Sequence, residues 1–231
     1  MDKIVYEVVE GVIENLHVYD ADVNYLASAE TNSRVAGIVS VLQAAAGSPG
    51  AVHSAQAAND SGDPVEAYSM TVGGRTINGS FWKTTFQNGD HVKVVGFKED
   101  NIFQAIAVTV PEKQVIWMQP HCERGLVEQR KYLIRNSLIF VGVVFAVLAF
   151  LIRNEAIEFW FYLVSATSLS VTILFFTVGL SWKDLMTFAN RMSRVGAALG
   201  IESPDGINLP RSTKKMIKSG KPELPMGVYY Y

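Results

Sequence analysis

Hydrophobic and polar positions divide this chain into three regimes. Up to about Val110 apolar residues come in short runs broken by turn-forming residues. From Leu133 to Trp182 they are almost continuous, and beyond Trp182 they recur at helical spacing before thinning out. The middle regime is the plainest. Ser137 to Ile152 and Phe159 to Leu180 contain no Asp, Glu, Lys, Arg or His, and only the polar loop Arg153 to Glu158 separates them. A bilayer's hydrocarbon core is crossed by about 20 residues at about 1.5 Å each, so uncharged runs of this length predict a transmembrane hairpin. Tyr132 to Ile134 lengthen the first span if Arg135 snorkels to the headgroups. The alternative is a pair of buried helices in a soluble core, but 231 residues are few to cover two helices that are apolar all round. Trp160, Tyr162 and Trp182 fall near span ends, where amphipathic rings favour the interface. Arg124, Arg130, Lys131 and Arg135 precede the hairpin, Lys183, Arg191 and Arg194 follow it, and Arg153 alone lies between, which predicts two passes with both termini cytoplasmic.

The first regime reads as β-structure. Lys3 to Tyr19 is rich in β-branched and aromatic residues, with Gly11 as a bulge or bend, and predicts one bent strand or two short ones. Asp20 to Ser33 is polar and fits a loop or a short helix. After the Gly62-Asp63-Pro64 turn come Ala67 to Val72, a Gly73-Gly74 hairpin turn and Arg75 to Ile77. A break at Asn78-Gly79 follows, then Phe81 to Phe86, His91 to Gly96 and Ile102 to Val110. Turn signals about every ten residues predict a small antiparallel barrel or sandwich. Gly89-Asp90-x-Val92-x-Val94-x-Gly96 resembles strands of OB-like barrels. Into this domain is inserted Val35 to Ala58, uncharged and rich in Ala, Gly and Ser. Gly47, Pro49 and Gly50 interrupt it, so it predicts a short helix, a turn, and then a second helix or a loop. Its other reading is a segment that enters or lies on a membrane.

The third regime opens with an amphipathic helix, Lys183 to Leu199, ended by Gly200. The tail Ile201 to Tyr231 carries the basic run Arg211, Lys214, Lys215, Lys218 and Lys221, for which attraction to anionic headgroups is the simple reading. Tyr229 to Tyr231 fits either a docking tag or a disordered end. The expected fold class is therefore an α+β membrane protein. Residues 1–116 form a cytoplasmic β domain with an insertion at 35–58, and 117–136 a juxtamembrane connector. Residues 137–180 form the hairpin, and 181–231 an amphipathic helix and basic tail.

Composition narrows the chemistry. Arg75, Lys83, Lys93 and Lys98 balance Glu66, Asp90, Glu99 and Asp100 in the β region, so the electrostatic footprint of a nucleic-acid binder is missing. Met1 to Asp22 lacks the basic start and apolar core of a signal peptide. The single cysteine, Cys122, excludes an intrachain disulfide and a cysteine-cluster zinc site, and no cofactor or metal is expected. Trp117 to Gly125 places His121, Cys122, Glu123 and Arg124 together, which invites a thiolate–imidazole reading. Sequence neighbours seldom face one another, so a connector whose Trp117 and Arg124 meet the interface is the preferred reading. Gly142 and Ala146 on the first span, and Ser165, Ser168 and Thr172 on the second, are expected to pack the hairpin.

Gly79-Ser80-Phe81-Trp82-Lys83, Gly89-Asp90-x-Val92-x-Val94-Val95, Ala105-x-Ala107-Val108 and Trp117-x-x-Pro120-His121-x-x-x-Gly125, followed by paired spans, resemble a family. It is that of bacterial membrane proteins catalogued as type VI secretion system effectors, and the resemblance covers Val65 to Leu180. It implies a Gram-negative inner-membrane protein connected with contact-dependent competition, and it brings no catalytic residues. The resulting expectation is a non-enzymatic protein whose β domain binds a protein partner, a type VI effector or secretion component, as an immunity or effector-associated factor. Phe81, Trp82, Phe86, Phe97 and Phe103 are the candidate anchors if some project outward, against the competing expectation that they fill the core. The alternative is a membrane-disrupting effector acting through residues 35–58 and the hairpin.

Overall fold

A computed structural model describes residues 5–23, 25, 63–99, 102–151, 158–179 and 182–231. The Ala/Gly-rich stretch Val35 to Ala58, with its expected helix, lies outside them. Five strands build a closed barrel: β1 (Glu7–Val23), β2 (Asp63–Val72), β3 (Arg75–Phe81), β4 (His91–Glu99) and β5 (Ile102–Val110). They meander antiparallel from β1 through β2 to β3, while β4 pairs with β1 and β5. The parallel contact of Ile77 and Asn78 with Phe103 and Gln104 closes the circle, giving the connectivity of an OB-like barrel.

Alternation places Tyr68, Met70 and Val72 of β2, Ile77 and Phe81 of β3, and Val92 and Val94 of β4 inside. β1 serves both sides of the barrel because it bends. Glu7 to Val12 pair with β4 and Ile13 to Val23 with β2, and the register slips between Glu14 and His17, where Asn15 adopts φ 51°. The bulge therefore sits at Asn15 and not at Gly11, and the strand runs on through Asp20 to Val23, expected to open a loop or a short helix. Gly11 instead makes room for the neighbouring hairpin, since a Cβ there would stand 2.9 Å from the amide nitrogen of Gly73 in the β2–β3 turn. The expected break at Asn78-Gly79 is absent. Gly79 stays in β3 because the Tyr68 ring lies across it, where a Cβ would meet the hydroxyl at 2.5 Å. Trp82 to Phe86, expected as strand, begin a loop that is tied to β1 by Leu16 N donating to Asn88 Oδ1 and Gly89 N donating to Ile13 O, both at 2.9 Å.

Two further strands extend the sheet from β5: β6 (Val115–Met118) and β7 (Val228–Tyr230). Between them in sequence lie the helices α1 (Leu126–Leu151), α2 (Phe159–Leu174), α3 (Trp182–Ala198) and α4 (Leu209–Lys218). α1 is long and apolar enough to cross a membrane, with mean hydropathy 2.2 and none of its most apolar window buried. α2 is shorter, 16 residues, and continues as a five-residue π-helical turn, Phe175–Gly179. The two run antiparallel. Tyr162 OH donates to Phe145 O at 2.6 Å, and Leu174 and Val178 face Leu133 to Val141 across a cleft of about 200 Å³. Their seam is lined by the buried Ala166 and Ser170. Gly142, Ala146, Ser165, Ser168 and Thr172, expected to make this seam, are exposed instead. The ring contact of Phe145 with Tyr162, 5.9 Å between centroids, puts other faces of the helices together.

The amphipathic helix expected at Lys183 to Leu199 is α3, and it is the tail beyond it that departs most from expectation. α3 turns its apolar face, Phe188, Met192 and Val195, onto the outer side of β4 and β5 at Val95, Ile106 and Ala107. The tail is folded: α4 packs Met216 and Ile217 on the barrel cluster, and Val228 and Tyr230 are buried in it. Tyr229 and Tyr230 of the tyrosine run thus belong to a strand paired with β6, because Val228 and Tyr230, at alternate positions, complete the interior.

Candidate functional site

The connector Trp117 to Gly125 is where barrel, α1, α3 and α4 converge. Trp117 belongs to β6 and points inward, only 4% exposed, with its indole N–H donating to Thr85 Oγ1 at 3.2 Å and its ring edge-on to Phe86. It meets the core and not a lipid interface, since β6 pairing fixes its side. Chain reversal follows through Pro120 and His121, the latter at φ 66°. The His121 ring sits between Trp82 and Phe188, at 5.8 Å and 5.5 Å, and its Nε2 lies 2.9 Å from Asp63 Oδ2. Asp63, read in sequence only as part of a turn, thereby links the start of β2 to α3 through the imidazole.

Cys122 is fully buried, and that burial pushes its thiol up to about 12, the Arg191 charge opposing only in part. A thiol held neutral and covered is a packing group, so the thiolate–imidazole reading does not apply. Arg124 extends over the Tyr132 ring at 4.1 Å and reaches Glu123 at 3.5 Å. Its backbone bridges to Asn208. Gly125 is required by contact: its N–H donates to Ile207 O at 2.9 Å, and a Cβ would stand 2.4 Å from Pro204 O. Asn208 caps α4 by accepting from Arg211 N at 3.1 Å while its amide donates to Glu128 Oε2 at 3.1 Å. Leu126 N donates to Ser193 Oγ, and Arg191 to Gln119 Oε1. The expected juxtamembrane motif is therefore a clasp that fixes the base of α1 to the barrel.

The five candidate anchors are not brought together on a surface. Phe81, Phe86 and Phe103 are core residues, 0%, 2% and 3% exposed: alternation turns Phe81 and Phe103 inward, and the loop after β3 folds Phe86 onto Tyr68, Phe81 and Trp117. Trp82 is half-buried over His121 and Gly227, and Phe97 stacks on Tyr6. The outer side of β3 and β5 is closed as well: Asn78, Ser80 and Gln104 are buried, with Tyr25 hydrogen-bonded to Ser80. Large apolar side chains left exposed on the barrel, among the described residues, are those of β1 and its lead-in: Val5, Val8, Val12 and Val18. Val8 and Val12 face outward beside Glu10, which pairs with Lys93 at 3.2 Å. The sequence signal for this strip is simple alternation, which puts Val8, Glu10 and Val12 on one face. Among the described residues no cluster of three or more His, Cys, Asp and Glu could hold a metal. No family model, curated protein or solved structure matches the chain.

Proposed function

We propose that this chain is a two-pass inner-membrane protein of a type VI secretion locus, non-enzymatic, whose barrel binds a protein partner as an immunity or effector-associated factor. The observation that carries the membrane part is the pairing of β6 with β7. α1 leaves the barrel directly after β6, and α3 and β7 return to the same barrel. A chain whose two ends share one sheet makes an even number of crossings, so if α1 crosses, the segment Phe159 to Gly179 must cross back. At about 1.5 Å per residue it is roughly 30 Å long, enough for the hydrocarbon core. Leu138, Phe150, Phe161 and Val164 are more than half exposed, as lipid-facing residues are. The excess of basic residues outside the loop supports a cytoplasmic barrel.

The type VI assignment rests on the resemblance of the motifs around Gly79 to Gly125. The docking surface is the outer face of β1, where a partner with apolar side chains flanked by basic ones would complement Val8, Val12, Glu10 and Glu14. A photo-crosslinking residue at Val12, in a strain producing the whole locus, should capture a protein encoded beside it, and one at Lys98 should not. The reading is overturned if production of the chain alone depolarises a heterologous host and deletion of residues 35–58 restores growth.

A further inference from the structure

The basic run of the tail is not a flexible polybasic end, and its geometry gives it a target. Arg211, Lys214, Lys215 and Lys218 are all exposed and recur at the spacing that puts them on one face of α4. The opposite face is locked: Leu209 is buried, Met216 and Ile217 pack on the barrel, and Thr213 Oγ1 accepts from Tyr230 N at 2.9 Å. Among the described residues no carboxylate lies within ion-pair distance of these four side chains. The start of α4 is tied to the first turns of α1, with Leu209 N donating to Glu123 O at 3.1 Å and Asn208 donating to Glu128. Glu128 precedes the charge-free segment, which opens at Ser137, by nine residues, so it lies about 13 Å from the hydrocarbon edge. The headgroup layer fills roughly 5 to 8 Å of that interval, leaving Arg211 within about one Debye length of it. Arg130 and Arg135, exposed on α1, carry positive charge through the remaining gap.

We infer that α4 and the base of α1 together form a binding surface for anionic phospholipid headgroups of the bilayer that holds the hairpin. Two segments some eighty residues apart are clasped into one basic patch, as the 80-residue separation of Asn208 and Glu128 records. The inference rests on the membrane reading above, which alkaline-carbonate extraction tests separately. A chain that stays in the membrane yet shows no headgroup preference refutes the inference alone.

The test uses the full chain in dodecyl maltoside, titrated with dihexanoyl phosphatidylglycerol or dihexanoyl phosphatidylcholine and followed by tryptophan fluorescence. Each basic residue close to an anionic surface contributes about fivefold in affinity before screening. Phosphatidylglycerol should therefore bind at least about tenfold more tightly than phosphatidylcholine. The variant R211Q/K214Q/K215Q/K218Q should lose that preference, and the charge-retaining K214R/K215R/K218R should keep it. K214Q/K218Q, with an intermediate loss, serves if the fourfold variant does not fold. Inorganic phosphate at the same concentration should not displace the lipid. Equal affinity for the two lipids, an unchanged preference in the glutamine variants, displacement by phosphate, or displacement by an oligoglutamate peptide would each overturn the assignment.

Discussion

Replacing Gly125 by Ala tests the clasp at its tightest point. The added Cβ would lie 2.4 Å from Pro204 O and 2.7 Å from Asp205 O, both backbone atoms of the turn that leads into α4. Relief to an ordinary contact needs a shift of about 1 Å, and no side-chain rotation can supply it. Such a shift breaks the 2.9 Å bond from Gly125 N to Ile207 O and strains the 3.1 Å bond from Leu209 N to Glu123 O. A buried backbone group left without its partner costs about 1 to 3 kcal/mol, so the substitution should destabilise the chain by about 2 to 4 kcal/mol. Urea unfolding in detergent, followed by tryptophan fluorescence, measures this. Proteolysis near Ser203 to Gly206 should become faster at urea concentrations that leave the barrel intact. Gly142 is the control: a Cβ there meets nothing within 4 Å, and Ala favours a helix by about 1 kcal/mol, so G142A should be neutral or slightly stabilising. A G125A variant within about 0.5 kcal/mol of the parent would refute the reasoning.

Phe188→Ala should cost about 3 to 5 kcal/mol in the same assay, since the ring is 1% exposed against the barrel. A negligible effect would mean that α3 lies on lipid instead. Stability should fall on the alkaline side. Burial raises Cys122 from 9.0 to about 12 and Tyr6 from 10.0 to about 12, so their contributions are complete below about pH 9 and are lost as pH rises towards 12. Melting temperatures flat from pH 8 to 11 would contradict this, and C122A should make the decline shallower. Asn154→Cys should react with membrane-impermeant maleimide added outside intact spheroplasts. The native thiol, buried, gives no background, and protection of the new one would reverse the proposed orientation.

Much of the barrel was legible because each strand needs only a period of two and a turn at its end. Val92 and Val94, or Met70 and Val72, declare their side without help from the rest of the chain. The apolar helix α1 was legible for a similar reason, since absence of charge over sixteen residues is a local property. Misreadings arose where the deciding partner is remote. Asn78-Gly79 has the composition of a turn, and only Tyr68 across the ladder keeps it extended. The amphipathic face of α3 was visible, but its acceptor surface, Val95, Ile106 and Ala107, lies about ninety residues upstream and could not be told from a bilayer. Val228 to Tyr230 is too short for any pattern and is a strand because β6 offers it an edge. His121 and Asp63 stand 58 positions apart, a distance at which no spacing rule operates. The clasp residues stood out as a motif by resemblance, without the partners that explain them.

The adjacency of β6 and β7 also sets an order of events in synthesis. About 110 residues separate Met118 from Val228, so at roughly 5 to 20 residues per second the ribosome needs about 5 to 20 s to supply the neighbour that β6 requires. Throughout that interval β6 presents an open edge, the kind of edge that recruits stray strands. The hairpin is made entirely within this window. On the proposed membrane reading the hairpin inserts beside a barrel whose five strands are already made but whose sheet ends at an unpaired β6, and the seventh strand arrives only afterwards. A nascent chain that stalls before Val228 stays exposed at β6, where a chaperone or protease can distinguish it from the finished protein.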